Sequence, residues 1–191
     1  MKRSSFLKNG LAILGFLAAP FNSISRQYQR RIKKGFVVYA GRDRNNKPLS
    51  LMEGDTFFTK VSGKDTDGDI YVFESTRLKE GGPSYHYHYE QDEYWYVLKG
   101  EFLFKIGDEE FTAKAGDSVF GPRMVPHAFS KVGEGEARLL MFFLPAGKME
   151  AAFEKMRDGS LRNMTEEEME KFRHEHGFKK VGPALRYFKK W

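Results

Sequence analysis

The sequence predicts an all-β fold, a sandwich or closed barrel, followed by a short helical extension. Two observations carry the β part. From about residue 55 to 147, short runs rich in Val, Ile, Phe and Tyr recur at spacings of roughly 8–12 residues. Gly, Asp and Pro clusters separate them, as in Gly63-Lys-Asp-Thr-Asp-Gly68 and Gly81-Gly82-Pro83. A third observation ends the β region: beyond Pro145-Ala-Gly147 the apolar period changes to that of a helix.

The strands are expected at 57–61, 70–78, 85–89, 94–98, 102–106, 110–113, 118–120, 127–132 and 137–144. Gly107-Asp108 closes a hairpin between the fifth and sixth. Many short strands leave many edges, and closing or doubling the sheet removes them. After the barrel, Met149, Ala152, Phe153 and Met156 recur at helical spacing. A second helix starts at Thr165, an N-cap with Glu168 three residues on, which is a capping box. Met164 and Met169 stand at the positions of a hydrophobic staple, and Gly177 is expected to stop the helix. Residues 178–191 read as a basic, aromatic tail. The expected division is an export signal over 1–25, a basic tether and lead-in strand over 26–54, the barrel over 55–147, and helices and tail over 148–191.

Composition narrows the function. The net charge of +6 suggests nucleic acid, but its distribution does not. Residues 1–36 hold eight basic residues and no acid, and the rest carries 24 basic against 26 acidic residues. A phosphate backbone calls for a basic face on the folded domain, so nucleic acid is excluded as a partner. No stretch approaches the roughly 18–20 apolar residues of a membrane span. The absence of cysteine rules out a disulfide framework and leaves the compartment open. The N-terminus has the layout of an export signal: positive Met1 to Lys8, a short apolar run from Leu11 to Ala19, then Ser23-Ile-Ser25 or Ala18-Ala19 as cleavage sites. Ser4 stands where a twin-arginine signal has its second arginine. The expectation is a periplasmic protein, with an amphipathic N-terminal helix and a cytoplasmic location as the alternative.

The chemistry sits in Tyr85-His86-Tyr-His88-Tyr-Glu-Gln-Asp-Glu93 and in His127. Side chains alternate along a strand, so His86 and His88 share one face and Tyr85, Tyr87 and Tyr89 the other. Glu93 lies an odd number of residues from His88, so the chain must turn around Glu90-Gln91-Asp92. Glu93 then opens the next strand on the face of Trp95 and Val97, and Phe129 accompanies His127 in the same way. Three neutral imidazoles and a carboxylate suit one divalent first-row metal with an open position: Mn, Fe, Ni, Co, Cu or Zn. A buried carboxylate needs the compensation that a cation supplies. Asp92 or Glu90 are the alternatives to Glu93 as the fourth ligand. His174 and His176, also two apart, fall at a helix end, where their rings diverge and their charge complements the dipole.

These residues resemble the cupin superfamily. Its first motif has a Gly, a His-x-His pair, a Glu and a closing Gly, matched by His86, His88, Glu93 and Gly100, with Gly82 two residues closer to the pair than usual. Its second is matched by Gly116, Pro122 and His127, while Met124 replaces a glycine and Lys131 an asparagine. The resemblance covers about 55–147. It implies a double-stranded β-helix, the jelly-roll barrel, and within the superfamily the chain looks most like quercetin-dioxygenase-like monocupins. The implied activity is a metal-dependent dioxygenase on a flavonol, catechol or similar enol, with Glu93 as ligand and proton acceptor. Phe73, Trp95, Phe104 and Phe129 are candidates for the wall of a flat substrate pocket, and they equally suit barrel core. The alternatives are an isomerase or a carbohydrate- or acid-binding cupin on the same metal, and a structural protein with a vestigial site. The family resemblance also implies a homodimer.

Overall fold

The computed structural model describes residues 31–52 and 55–185. The expected export segment lies outside the described residues, as do Tyr187, Phe188 and Trp191 of the tail. The strands are β1 (Leu49–Met52), β2 (Asp55–Val61), β3 (Tyr71–Arg77), β4 (Ser84–His88), β5 (Asp92–Lys99), β6 (Glu101–Ile106), β7 (Glu109–Lys114), β8 (Ser118–Gly121), β9 (His127–Val132), β10 (Ala137–Leu144) and β11 (Phe178–Ala184). Two helices, α1 (Met149–Arg157) and α2 (Glu166–Glu175), lie between β10 and β11. One sheet runs β1-β2-β3-β10-β5-β8 and the other β11-β4-β9-β6-β7, with every pairing antiparallel. The two sheets make a jelly-roll barrel with a helical extension at its C-terminal end.

Alternation builds the interior. In β5, Glu93, Trp95 and Val97 are buried while Tyr96 and Leu98 are exposed. In β10, Ala137, Leu139, Met141 and Phe143 point inward. Tyr71, Phe73, Trp95, Phe102, Phe104, Phe129 and Phe143 fill the barrel. Each such side chain contributes about 2–3 kcal/mol through burial. The helices seal one side. Met149 and Ala152 of α1 are buried, and Phe153 packs edge-on against Phe57 and Phe73 with centroids 5.2 and 5.4 Å away. Thr165 accepts a hydrogen bond from the Glu168 amide (3.2 Å), and the Glu168 carboxylate accepts one from the Thr165 amide (2.7 Å), which completes the capping box. Met164 packs on the core, and Gly177 adopts φ +88° just past the helix end.

Residues 178–184 depart from the expected tail. They form β11, an edge strand on β4 in which Phe178 faces His88 and Lys180 faces His86. Two lysines, a glycine and Pro183 are poor strand formers in isolation. At a sheet edge one row of backbone groups faces solvent, so lysine and proline are tolerated and discourage further pairing.

Candidate metal centre

The two sheets bring the histidines and the acid together from opposite sides of the interior. β4 presents His86 and His88 on one face, and His86 is directly opposite His127 of β9. From the other sheet, Glu93 enters between Phe143 of β10 and Gly121 of β8. One potential ligand atom from each of His86, His88, Glu93 and His127 lies within 4.8 Å of every other. Metal–ligand bonds of about 2.0–2.2 Å place neighbouring donor atoms roughly 3–4 Å apart, so the cluster is of the right size.

Glu93 rather than its acidic neighbours occupies this position. Asp92, next door on β5, faces the other way, and its carboxylate accepts three hydrogen bonds from Arg123 at 2.6–3.0 Å. Glu90 is exposed. The turn between them is tied down by Gln91, whose Nε2 donates to the Ala146 carbonyl (2.9 Å).

Hydrogen bonding selects the tautomers. His86 Nδ1 is 2.7 Å from the Ser84 carbonyl and His127 Nδ1 is 3.0 Å from that of Val125. A carbonyl can only accept, so both Nδ1 atoms carry the proton and both Nε2 lone pairs are left for another partner. Yet His127 Nε2 stands 3.1 Å from Glu93 Oε2. An unprotonated nitrogen and a carboxylate oxygen repel at that range unless a cation lies between them. His88 is fully buried, and neither of its ring nitrogens has a hydrogen-bond partner among the described residues, although Nε2 is 3.3 Å from Glu93 Oε2. An orphaned imidazole costs about 1–3 kcal/mol, which ligation would relieve. The donor set therefore fits a divalent metal.

The electrostatics agree. Burial works against ionisation of Glu93, but the His127 and His88 ring nitrogens beside it outweigh burial and bring the carboxyl down to about 2. Burial, reinforced by His88 and His127, brings His86 down to about 3. At neutral pH the cluster is an ionised acid beside a neutral His86, the states in which these groups ligate metals.

A cavity of about 400 Å³ opens from His86 and Glu93. Phe129, Phe143, Phe153, Met141, Met156 and Phe178 supply much of its wall. Of the four aromatics expected there, Phe129 lines it. Phe73, Trp95 and Phe104 are fully buried in the core: Trp95 packs behind His127 at 5.3 Å between centroids, Phe104 packs on Trp95, and Phe73 lies against Phe143. The cavity runs toward α1 and α2, so the helical stripe Met149, Phe153 and Met156 faces it as well as the core. Strand alternation alone carried no sign of that. Arg77, which falls within an expected strand, and Asp55, just before one, also line it. His174 and His176 lie outside the cluster: His176 Nδ1 bonds the Phe172 carbonyl (2.8 Å), and His174 packs edge-on against Tyr89.

The motif departures have local accounts. Met124 holds φ +63°, the left-handed conformation for which glycine is the usual residue. Gly82, displaced in sequence, is where the backbone passes Phe129 so closely that a Cβ would lie 1.7 Å from its carbonyl oxygen. Lys131 is buried, its ammonium donating to the Gly133 carbonyl.

Residues 73–143, which contain all four cluster residues, match the family model described as Cupin domain. This stretch of the chain is a cupin domain. The chain is 32% identical over 60 residues to an uncharacterized protein of Methanocaldococcus jannaschii, an alignment covering 31% of this chain and 48% of that protein. The chain thus spans about half the length of the curated relative it matches. Among solved structures it is similar to an RmlC-like cupin from Shewanella frigidimarina (TM-score 0.49, 18% identity, 61% of this chain and 96% of that one). It is also similar to KdgF from Halomonas sp. (TM-score 0.47, 17% identity, 53% and 87%).

Proposed function

We propose that this cupin binds one divalent first-row transition metal through His86, His88, Glu93 and His127 and acts as a dioxygenase on a flavonol, catechol or related enol. The observation that carries the reading is the buried, unpartnered imidazole of His88, set among three other ligand groups at the end of a largely apolar cavity. Bound there, the metal supplies a Lewis acid that lowers the pKa of a substrate hydroxyl.

The chain's own residues supply the rest. Phe129, Phe143 and Phe153 favour a flat, apolar substrate body and exclude water from around the reacting oxygen. Glu93, ionised and within reach of the cavity, accepts the hydroxyl proton. The Ser84 and Val125 carbonyls hold the His86 and His127 rings in one orientation. Oxygen uptake by metal-loaded protein with flavonols and catechols tests the proposal. Uptake that persists after the metal is removed would contradict it.

The second reading is a non-oxidative cupin, an isomerase or a carbohydrate- or small-acid-binding protein on the same centre. The charged pair Arg77–Asp55 on the cavity wall favours it. Isomerisation of keto-sugars without oxygen uptake would select it.

A homodimer is also proposed. Tyr96, Leu98 and Phe120 are exposed on the outer face of one sheet beside the open edge of β8. Substituting Tyr96 and Phe120 by Lys should leave a monomer in light scattering. Export is proposed from the sequence of residues 1–25, with fusion of that segment to a periplasmic reporter as its test. No helix among the described residues is long and apolar enough to cross a membrane.

A further inference from the structure

The cavity contains a second polar locus that the metal ligands do not use. Arg77, the last residue of β3, pairs in register with Asp55, the first of β2. Arg77 is 5% exposed and Asp55 6%, and both line the cavity. Arg77 Nη1 is spent on Asp55 Oδ2 (3.0 Å) and the Gly81 carbonyl (3.3 Å). Its guanidinium carbon lies 4.8 Å from the Phe129 ring centroid. Among the described residues Nε is buried without a partner and Nη2 makes no hydrogen bond. The Nε–Nη2 edge is the side of a guanidinium that grips a carboxylate with two parallel hydrogen bonds.

The locus is separated from the metal ligands. Along β10, Ala137 faces Arg77 and Phe143 faces Glu93. Their backbones are therefore six residues apart, about 20 Å at roughly 3.3 Å per residue. An extended arginine side chain bridges part of that distance, and Met141, Phe143 and Phe129 line the space between. The charge balance favours an anion. Asp55 is already paired with Arg77, and Glu93 stands at the other end of the cavity, inside the histidine cluster. Arg162, on the α1–α2 connection, lines the same cavity with no ion-pair partner among the described residues.

We infer that Arg77 binds a carboxylate at the end of the ligand farthest from the His/Glu cluster, so that the substrate is a flat, apolar acid. This rests on the reading of the cavity as the substrate site, and it can be tested without metal or turnover, so that the two stand or fall separately.

The experiment is calorimetric titration of the chelator-treated full chain with phenylpropanoate and with its neutral analogue phenylpropanamide. A charge-assisted bidentate contact should make the acid bind about tenfold or more tightly than the amide. Arg77→Lys keeps a cation for Asp55 but lacks the fork, and the preference should fall by about fivefold or more. The double variant Arg77→Gln with Asp55→Asn leaves no lone buried charge and should bind acid and amide alike. Thermal melts of both variants check that the fold is intact. Equal or absent binding of the two probes by the wild type overturns the inference. So does a preference that survives both Arg77 variants, or one that vanishes only in Arg162→Ala, which would place the acid at the mouth.

Discussion

His86 and His127 face each other directly across β4 and β9, ring centroids 4.8 Å apart, and each gives its Nδ1 proton to the carbonyl two residues before it. The same short hydrogen bond is built twice on adjacent strands. It leaves both Nε2 atoms turned to the interior. Imidazole NMR of zinc-loaded protein should therefore show Nδ1–H tautomers with metal on Nε2 at both positions. Ligation through Nδ1 at either ring would contradict this geometry.

Gly121 should not tolerate alanine. A Cβ there would lie 2.6 Å from Trp95 Cη2 and 3.3 Å from His127 Nδ1. Both neighbours are fully buried, so neither can move cheaply. Gly121→Ala should cost about 1–3 kcal/mol of stability and weaken metal binding by displacing His127. Chemical denaturation and metal titration check it, and an unperturbed variant would show that the strand can shift at no cost.

Acid should destabilise the metal-free protein. His86 has a folded pKa of about 3 against 6.5 in the unfolded chain, so the unfolded state binds more protons between those values. Stability should fall as pH drops from 6.5 toward 3. Glu93, depressed from 4.5 to about 2, adds a loss of the same sign as pH falls from 4.5 through 2. Denaturant midpoints across this range, in chelator, should decline, and His86→Gln should flatten the upper part of the curve. A rising curve would mean that His86 is charged in the fold.

Phe178 makes β11 part of the site. Its ring lies 6.1 Å from that of His86 and 5.9 Å from that of His88, and it lines the cavity. Phe178→Ala should destabilise by about 3 kcal/mol and open the cavity. Lys180→Ala, at an exposed position on the same strand, should fall within about 0.5 kcal/mol of wild type. Equal effects would mean that β11 matters only as an edge strand.

The contrast between Glu93 and Phe178 shows how far the sequence could be read. Glu93 was legible because a period of two, a turn at Glu90-Gln91-Asp92 and buried neighbours Trp95 and Val97 all agree on its direction. His127 was legible for a similar reason, at the head of a strongly apolar strand. Phe178 was not, because Lys179, Lys180, Gly182 and Pro183 carry no strand pattern and β4 supplies the pairing. The cavity wall failed in the same way. Phe73, Trp95, Phe104 and Phe129 share an inward direction, and alternation cannot tell which of them meets open space. That depends on where α1 and α2 land, a tertiary fact. Arg77 was hidden too, since an inward arginine in a strand looks anomalous until its register partner Asp55 is known.

Four side chains from β4, β5 and β9 are proposed to hold one ion. Elemental analysis of wild-type and His88→Ala protein, each stripped and then reloaded with a divalent first-row metal, tests it most directly. About one ion per chain is expected in the wild type and close to none in the variant. A wild type that takes up no metal, or a variant that keeps its full complement, would contradict it.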